Sequence, residues 1–441
     1  MHTRLTFKYV LTPEGLRGNQ TLVINAAGII ETLQPAGGKT DGFFAIPGLP
    51  NAHSHAFQRA LSGFGETPRG EDSFWSWREA MYRLANRVTP EDMFIIAREA
   101  FLEMLRGGFT SVAEFHYLHH MPDGGAGPEM GQAVIEAARA AGIHLVLLPV
   151  FYQTGGFNTP ARDEQRRFVH HNIEDYCRLL QTLPGVKLGI APHSLRAVPP
   201  RVLAQLVQAV ASLSGGKWPM HIHISEQRRE VEECRAAFGA TPIELLARTL
   251  ELGPHWNLVH ATHATDAELQ TVLKQDATIV LCPITEAYLG DGLFAASEFV
   301  SQGGRIAVGS DSNCRIDAVE ELRWLEYGQR LRLQQRARLT TAAGLGASLW
   351  QRACGGGAAA LAEPVGAIAP GRRADLLVLD EQASPWLGHD AATLLDAFII
   401  GGSRHDIGAV YVGGRRRVDH GAVSGAEDSA NKFAQVVARL N

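Results

Sequence analysis

Long apolar runs are missing from this chain: no stretch reaches the length needed to cross a bilayer. The opening residues, Met1-His2-Thr3-Arg4-Leu5-Thr6-Phe7-Lys8, have no apolar h-region of the kind a signal peptide carries. Basic charge is not in excess. Lys and Arg number 41 against 46 Asp and Glu, a formal net charge of −5, which argues against nucleic acid as the main partner. Cysteine is scarce. Cys177, Cys234, Cys282, Cys314 and Cys354 are scattered, odd in number and without zinc-finger spacing, so free buried thiols in a reduced compartment are the plain reading. No Gly-x-Gly-x-x-Gly follows the first strand-like run, which disfavours a dinucleotide fold. These absences lead us to expect a cytoplasmic protein that engages neither membrane nor nucleic acid.

What remains is a globular composition. Apolar residues make up 45% of 441 positions, enough for a large core and more than one domain. Short strand patterns occupy 4–10, 21–25 and 29–33, and recur at 374–380 and 406–412 before Gly413-Gly414. We expect both chain ends, 1–46 and 366–441, to combine into one small β domain. Within 47–365, β-rich apolar runs alternate with helical patterns: 109–115, 143–150, 187–191, 219–224, 257–260, 277–281 and 305–308. With an apolar run at 43–46 taken as the strand before His53, there are eight. Thr89-Pro90-Glu91-Asp92 opens one helix with a cap, Pro at its first position and early acids, and Gly107-Gly108 closes it. Eight such units predict an α/β fold, a parallel (β/α)8 TIM-like barrel; a doubly wound open sheet is the alternative.

A barrel carries its chemistry at the C-terminal strand ends, and the polar residues there form one set. His53 and His55 lie two apart, on one side of an extended segment, and two imidazoles so placed can grip a divalent metal. Residues 114–117, His193, His223, His260 and Asp311 end later strands. Cys282, before Pro283, reads as packing or pocket wall. Singly, each has a bland reading: a core histidine, a solvated Glu226, an Asp311 that caps a helix. Jointly, at the ends of strands one, five, six and eight, coincidence explains them poorly. Segments 56–88 (with Phe74, Trp75 and Trp77), 118–130 and 151–167 read as lids over the mouth. Tyr152, Gln153 and the Gly290-Asp291-Gly292 turn read as ordinary loop.

His53-Ser54-His55, His223 with Glu226 three residues on, His260 and Gly309-Ser310-Asp311 resemble the amidohydrolase superfamily in its mononuclear deaminase branch. The tail Pro370-Gly371-Arg372-Arg373-Ala374-Asp375-Leu376 resembles its closing element. Continuing the first motif through Ala56-Phe57-Gln58-Arg59, and adding 114–120 and 221–227, the likeness narrows to the family that hydrolyses N-formimino-L-glutamate to N-formyl-L-glutamate and ammonia in histidine degradation. It spans essentially the whole chain.

The resemblance implies that His53, His55, His223 and Asp311 ligate one zinc, that Glu226 shuttles protons, and that His260 sits beside the reacting water, with Asp311 also taking a proton. It implies substrate contacts from Gln58, Arg78, Tyr117, His193 and Arg196, and a homodimer. A substrate with two carboxylates calls for arginine forks; Arg196 follows strand four, and Arg78 lies in the first lid. A His/Asp site also accepts iron, manganese or cobalt. A second metal needs a bridging Lys or carboxylate late in strand four, and Lys187 is at the wrong end. Two alternatives stay open: an aminopurine or adenosine-type deaminase, which should show aromatic stacking and few Arg, and a hydrolase of another formimino acid such as formiminoaspartate. A non-catalytic barrel is disfavoured by the complete ligand set.

Overall fold

The computed structural model describes residues 2–66, 74–183, 185–216 and 218–441, the side chains of 74 and 75 excepted. The aromatics Phe74 and Trp75 therefore lie outside the described side chains. Eight parallel strands close into a barrel: Leu49–Ser54, Phe109–His116, His144–Phe151, a broken fourth strand (Lys187–Leu188 and Ala191–Pro192), Met220–Ile224, Trp256–His260, Thr278–Leu281 and Arg305–Val308. Two runs of this wall pair continuously, strands one to four and five to eight. Bridges complete the circle, Ile190 to Met220 and Ser194 to His223 on one side, Ser54 to Asp311 on the other. Apart from the opening residues His144, Lys187 and Arg305, the strands are buried, as a parallel sheet covered on both faces requires.

The helix Pro90–Arg106 begins at a capping box, with the Thr89 hydroxyl accepting from Asp92 N–H (3.2 Å) and the Asp92 carboxylate from Thr89 N–H (3.0 Å). Both chain ends build one eight-stranded sheet, in the order Ala422–Val423, Arg415–Asp419, Ile407–Val412, Leu376–Leu379, Gly42–Pro47, Thr3–Thr12, Gly15–Ile24, Ile30–Pro35. Its own small core joins Phe7, Val10, Leu22, Ile24 and Ala45 to Leu376, Val378 and Tyr411. No helix among the described residues is long and apolar enough to cross a membrane.

One strand differs from the sequence reading. The apolar run at 43–46 is a strand, but it belongs to the terminal sheet, parallel to Thr3–Thr12 and antiparallel to Leu376–Leu379. The first barrel strand is the next segment, Leu49–Ser54, which contains His53 itself. Gly48 makes the transfer. Its N–H donates to Asp375 O in the terminal region (2.9 Å), while the next N–H, of Leu49, donates to Gly108 O at the barrel (3.2 Å). A Cβ at Gly48 would stand 2.3 Å from the Thr110 side chain, so only glycine lets the backbone pass so close.

Candidate active site

The C-terminal end of the barrel is locked where strand eight meets strand one. Asp311 N–H donates to His53 O (3.0 Å) and His55 N–H to Asp311 O (2.9 Å). Asn51 donates to Ser310 Oγ (2.7 Å), and Asn313 donates to Ser54 Oγ (3.0 Å). A Cβ at Gly309 would lie 2.7 Å from His53, which explains a glycine ahead of Ser310-Asp311. Beyond the strands the backbone turns sharply: Ser225, His260, Ala261, Asp311 and Asn313 all have positive φ, between 44° and 71°. Non-glycine residues held there cost about 1–3 kcal/mol each and tend to cluster at functional sites. Here they end strands five, six and eight.

These turns bring three imidazoles and a carboxylate to one point. The Nε2 atoms of His53, His55 and His223 are 3.0–3.3 Å apart. Asp311 Oδ1 lies 3.4 Å from the first and 3.2 Å from the second. All four residues are buried. His55 Nδ1–H donates to Phe115 O (2.9 Å) and His223 Nδ1–H to His193 O (3.1 Å). Those bonds fix the tautomers and leave both Nε2 lone pairs pointing into the cluster. Burial also pushes His53 down to about 3 and His223 well below its ordinary value, so the rings are neutral and available as ligands. Lone pairs so close repel unless a cation lies between them. A tetrahedral zinc bound at about 2.0–2.1 Å has ligand atoms about 3.3 Å apart, so the donor set fits a divalent metal in kind and in spacing.

Beside this cluster stand Glu226 and His260, both buried. His260 Nε2 is 3.9 Å from Glu226 Oε1 and 3.8 Å from Asp311 Oδ2. Its Nδ1–H donates to Glu286 Oε1 (3.2 Å), which also accepts the Cys282 N–H (2.9 Å). Burial alone would lower the His260 pKa; the carboxylates of Glu226, Glu286 and Asp311 outweigh it and raise it to about 10. Asp311 goes the other way. Burial would raise it, but the adjoining His53 and His55 rings hold it well below the carboxylate range. Cys282 is buried among carboxylates, and burial first of all keeps its thiol well above the ordinary range, so it serves in packing rather than as a nucleophile.

A cavity opens over the cluster, lined by His55, His223, Glu226, His260 and Asp311 and by Gln58, Arg78, Tyr117, His193 and Arg196 around them. Every residue to which the resemblance gives a metal, catalytic or substrate role, except His53, thus borders this one space. Gln58 donates to Tyr117 Oη (2.7 Å). Arg196 Nη2 is 3.5 Å from Glu226 Oε2. Arg78 donates through Nε to Tyr82 Oη, on the helix Phe74–Ala85. Lys187 sits at the opposite end of strand four, 3.7 Å from Glu363.

Other residues depart from the sequence reading. Tyr152, read as ordinary loop, lines the cavity and accepts from Gln165 Nε2 (2.7 Å). Segment 118–130 borders a separate cavity with His170 and Arg178 rather than the mouth. His221 shares a face with His223 but donates to Ala360 O (2.8 Å) away from the site. Glu230 and Glu286 escaped the sequence reading. Glu230 is fully buried, accepts the Glu226 N–H (3.0 Å) and lies 3.8 Å from Arg196 Nε. Both are first-turn acids of helices, Arg228–Phe238 and Pro283–Leu289. Acids are common there for capping reasons alone, so only the fold distinguishes them.

A barrel that gathers three imidazoles and a carboxylate at its strand ends, with a glutamate and a further histidine beside them, defines a metal-dependent hydrolase. The chain belongs to the amidohydrolase family, whose model matches residues 44–417. It is 44% identical to a formimidoylglutamate deiminase of Pseudomonas aeruginosa over 98% of both chains. A 5-methylthioadenosine/S-adenosylhomocysteine deaminase of Natronomonas pharaonis is 27% identical over 99% of this chain and 98% of its own. The crystal structure of an amidohydrolase from Brucella melitensis superposes with a TM-score of 0.92 at 37% identity, covering 99% of each chain.

Proposed function

We propose that the protein hydrolyses N-formimino-L-glutamate to N-formyl-L-glutamate and ammonia, a step of histidine degradation, with one zinc as cofactor. The observation that carries this reading is the pair Arg78 and Arg196 in the wall of the cavity above the metal ligands. Two guanidinium groups suit a small dianionic substrate whose carboxylates they can grip as forks. The 44% identity to a formimidoylglutamate deiminase over nearly the full length of both chains supports the same choice. Trp77, Tyr117, Tyr152 and Phe168 also line the cavity and would stack on a purine; the arginines are what a neutral purine would not use.

In this reading His53, His55, His223 and Asp311 hold the zinc, which when bound supplies a Lewis acid that lowers the pKa of water toward neutrality. Arg196 and Arg78 bind the carboxylates, and Gln58, Tyr117 and His193 orient the formimino end. Water adds to the formimino carbon, forming a C–O bond. Asp311 and Glu226 take up its protons, and Glu226 delivers protons to the imino nitrogen until the C–N bond breaks and ammonia leaves. His260, its Nδ1–H anchored on Glu286, turns Nε2 toward the oxygen where charge develops. Atoms balance: one amidine and one water give one formamide and one ammonia.

Arg196→Met should raise KM for N-formimino-L-glutamate by about 10- to 100-fold with a smaller change in kcat, since a hydrogen bond to a charged group contributes about 1.5–3 kcal/mol. Arg196→Lys should recover part of the loss. Steady-state ammonia release measures both. An unchanged KM in Arg196→Met removes this residue from the carboxylate site.

A further inference from the structure

Another cavity lies at the other end of the barrel, where the terminal sheet meets the start of strand three. Its lining includes Arg139, Arg373, Arg415, Arg417 and His144, and not one acidic residue. In a chain of net charge −5, such a concentration of one sign is not an average surface. The arginines come from separate parts of the fold: the last turn of the helix Glu129–Ala141, the approach to the strand Leu376–Leu379, and the strand Arg415–Asp419.

Their charges are mostly uncompensated. Arg373 pairs with Asp375 (3.2 Å) and His144 with Glu363 (2.9 Å). Among the described residues Arg139 finds only a backbone carbonyl, Gly185 O, at 3.3 Å. Arg415 and Arg417 make no side-chain hydrogen bond or ion pair among the described residues, and Arg417 Nε is a buried atom without a partner. The Arg417 guanidinium packs on Gly142, so closely that a Cβ there would stand 2.6 Å from its Cζ. Gly142 caps the C-terminus of the helix Glu129–Ala141, whose dipole offers about half a negative charge. That attracts one guanidinium and does not balance three. Burial and the neighbouring Arg415 both act against the Arg417 charge.

We propose that this groove is a binding site for a small polyanion bearing two or more phosphate or carboxylate groups. Arginine forks match the oxygens of either group bidentately, and an anion would supply the missing partner of Arg417 Nε. The site is distinct from the catalytic mouth: His144 opens strand three, whereas the metal ligands lie at or just past the C-terminal ends of strands one, five and eight.

Calorimetric titration of the metal-loaded protein tests it, with inorganic pyrophosphate and with tricarballylate as separate probes at constant ionic strength. The expected result is saturable binding of at least one probe, one per chain, kept in Arg196→Met and weakened at least ten-fold in both Arg415→Gln and Arg417→Gln. Arg415 is exposed, so its variant removes charge without disturbing packing; if Arg417→Gln does not fold, Arg415→Gln decides alone. Whichever probe binds tells phosphate from carboxylate. No saturable binding of either, binding unchanged in the groove variants, or binding lost only in Arg196→Met would overturn the proposal.

Discussion

Glu226→Gln is expected to lower kcat for ammonia release by about 10³-fold, within the range by which a positioned general acid–base accelerates a reaction. Metal content and folding should be unchanged. The substitution keeps the size of the side chain and an oxygen that can accept from Arg196 Nη2, 3.5 Å away, and removes the negative charge and the ability to carry a proton. His260, 3.9 Å from Glu226 Oε1, stays anchored on Glu286 through Nδ1. Metal analysis beside steady-state kinetics checks the claim. A loss under ten-fold, with metal bound, would assign the proton transfers elsewhere.

The second large effect follows metal removal. Stripping with a chelator, or His223→Ala, should abolish measurable turnover. Lewis-acid stabilisation contributes several kcal/mol to the transition state, and each 1.36 kcal/mol is a factor of about ten. Stability should fall as well. The Nε2 atoms of His53, His55 and His223, 3.0–3.3 Å apart, are left with mutually repelling lone pairs, and a metal held at about 1,000 times its Kd contributes about 4 kcal/mol of apparent stability. Thermal unfolding with and without chelator reads this directly, and restoring divalent metal to the stripped wild type should recover both activity and unfolding temperature. A chelated protein that keeps its full unfolding temperature and turnover would refute a metal site at these residues.

The metal site was legible in the sequence for a physical reason. Histidines two apart on an extended segment must face one way, and a barrel must bring its strand ends together, so residues as distant as His53 and Asp311 were predictable neighbours. The first strand was misread because the run at 43–46 and the segment Leu49–Ser54 are both buried throughout the part that matters, and burial on both faces erases the alternation that would tell one sheet from another. Only Gly48, tight against Thr110, marks the transfer. Tyr152 was missed because the end of strand three offers no motif around it. Its role depends on Gln165, thirteen residues on, and on Arg78 and Tyr82 from the first lid. Glu230 and Glu286 look like helix-capping acids until the fold sets them against Arg196 and His260. The arginine groove joins residue 139 to residue 417, and no local pattern announces it.

The central claim is tested most directly by ammonia release from N-formimino-L-glutamate, run beside an aminopurine and an adenosine-type substrate, with zinc-loaded and chelator-stripped protein. The account predicts zinc-dependent release from N-formimino-L-glutamate alone. Release from a purine substrate, with none from N-formimino-L-glutamate, would leave the barrel and its metal ligands standing and contradict the assignment of Arg78 and Arg196 to a dianionic substrate.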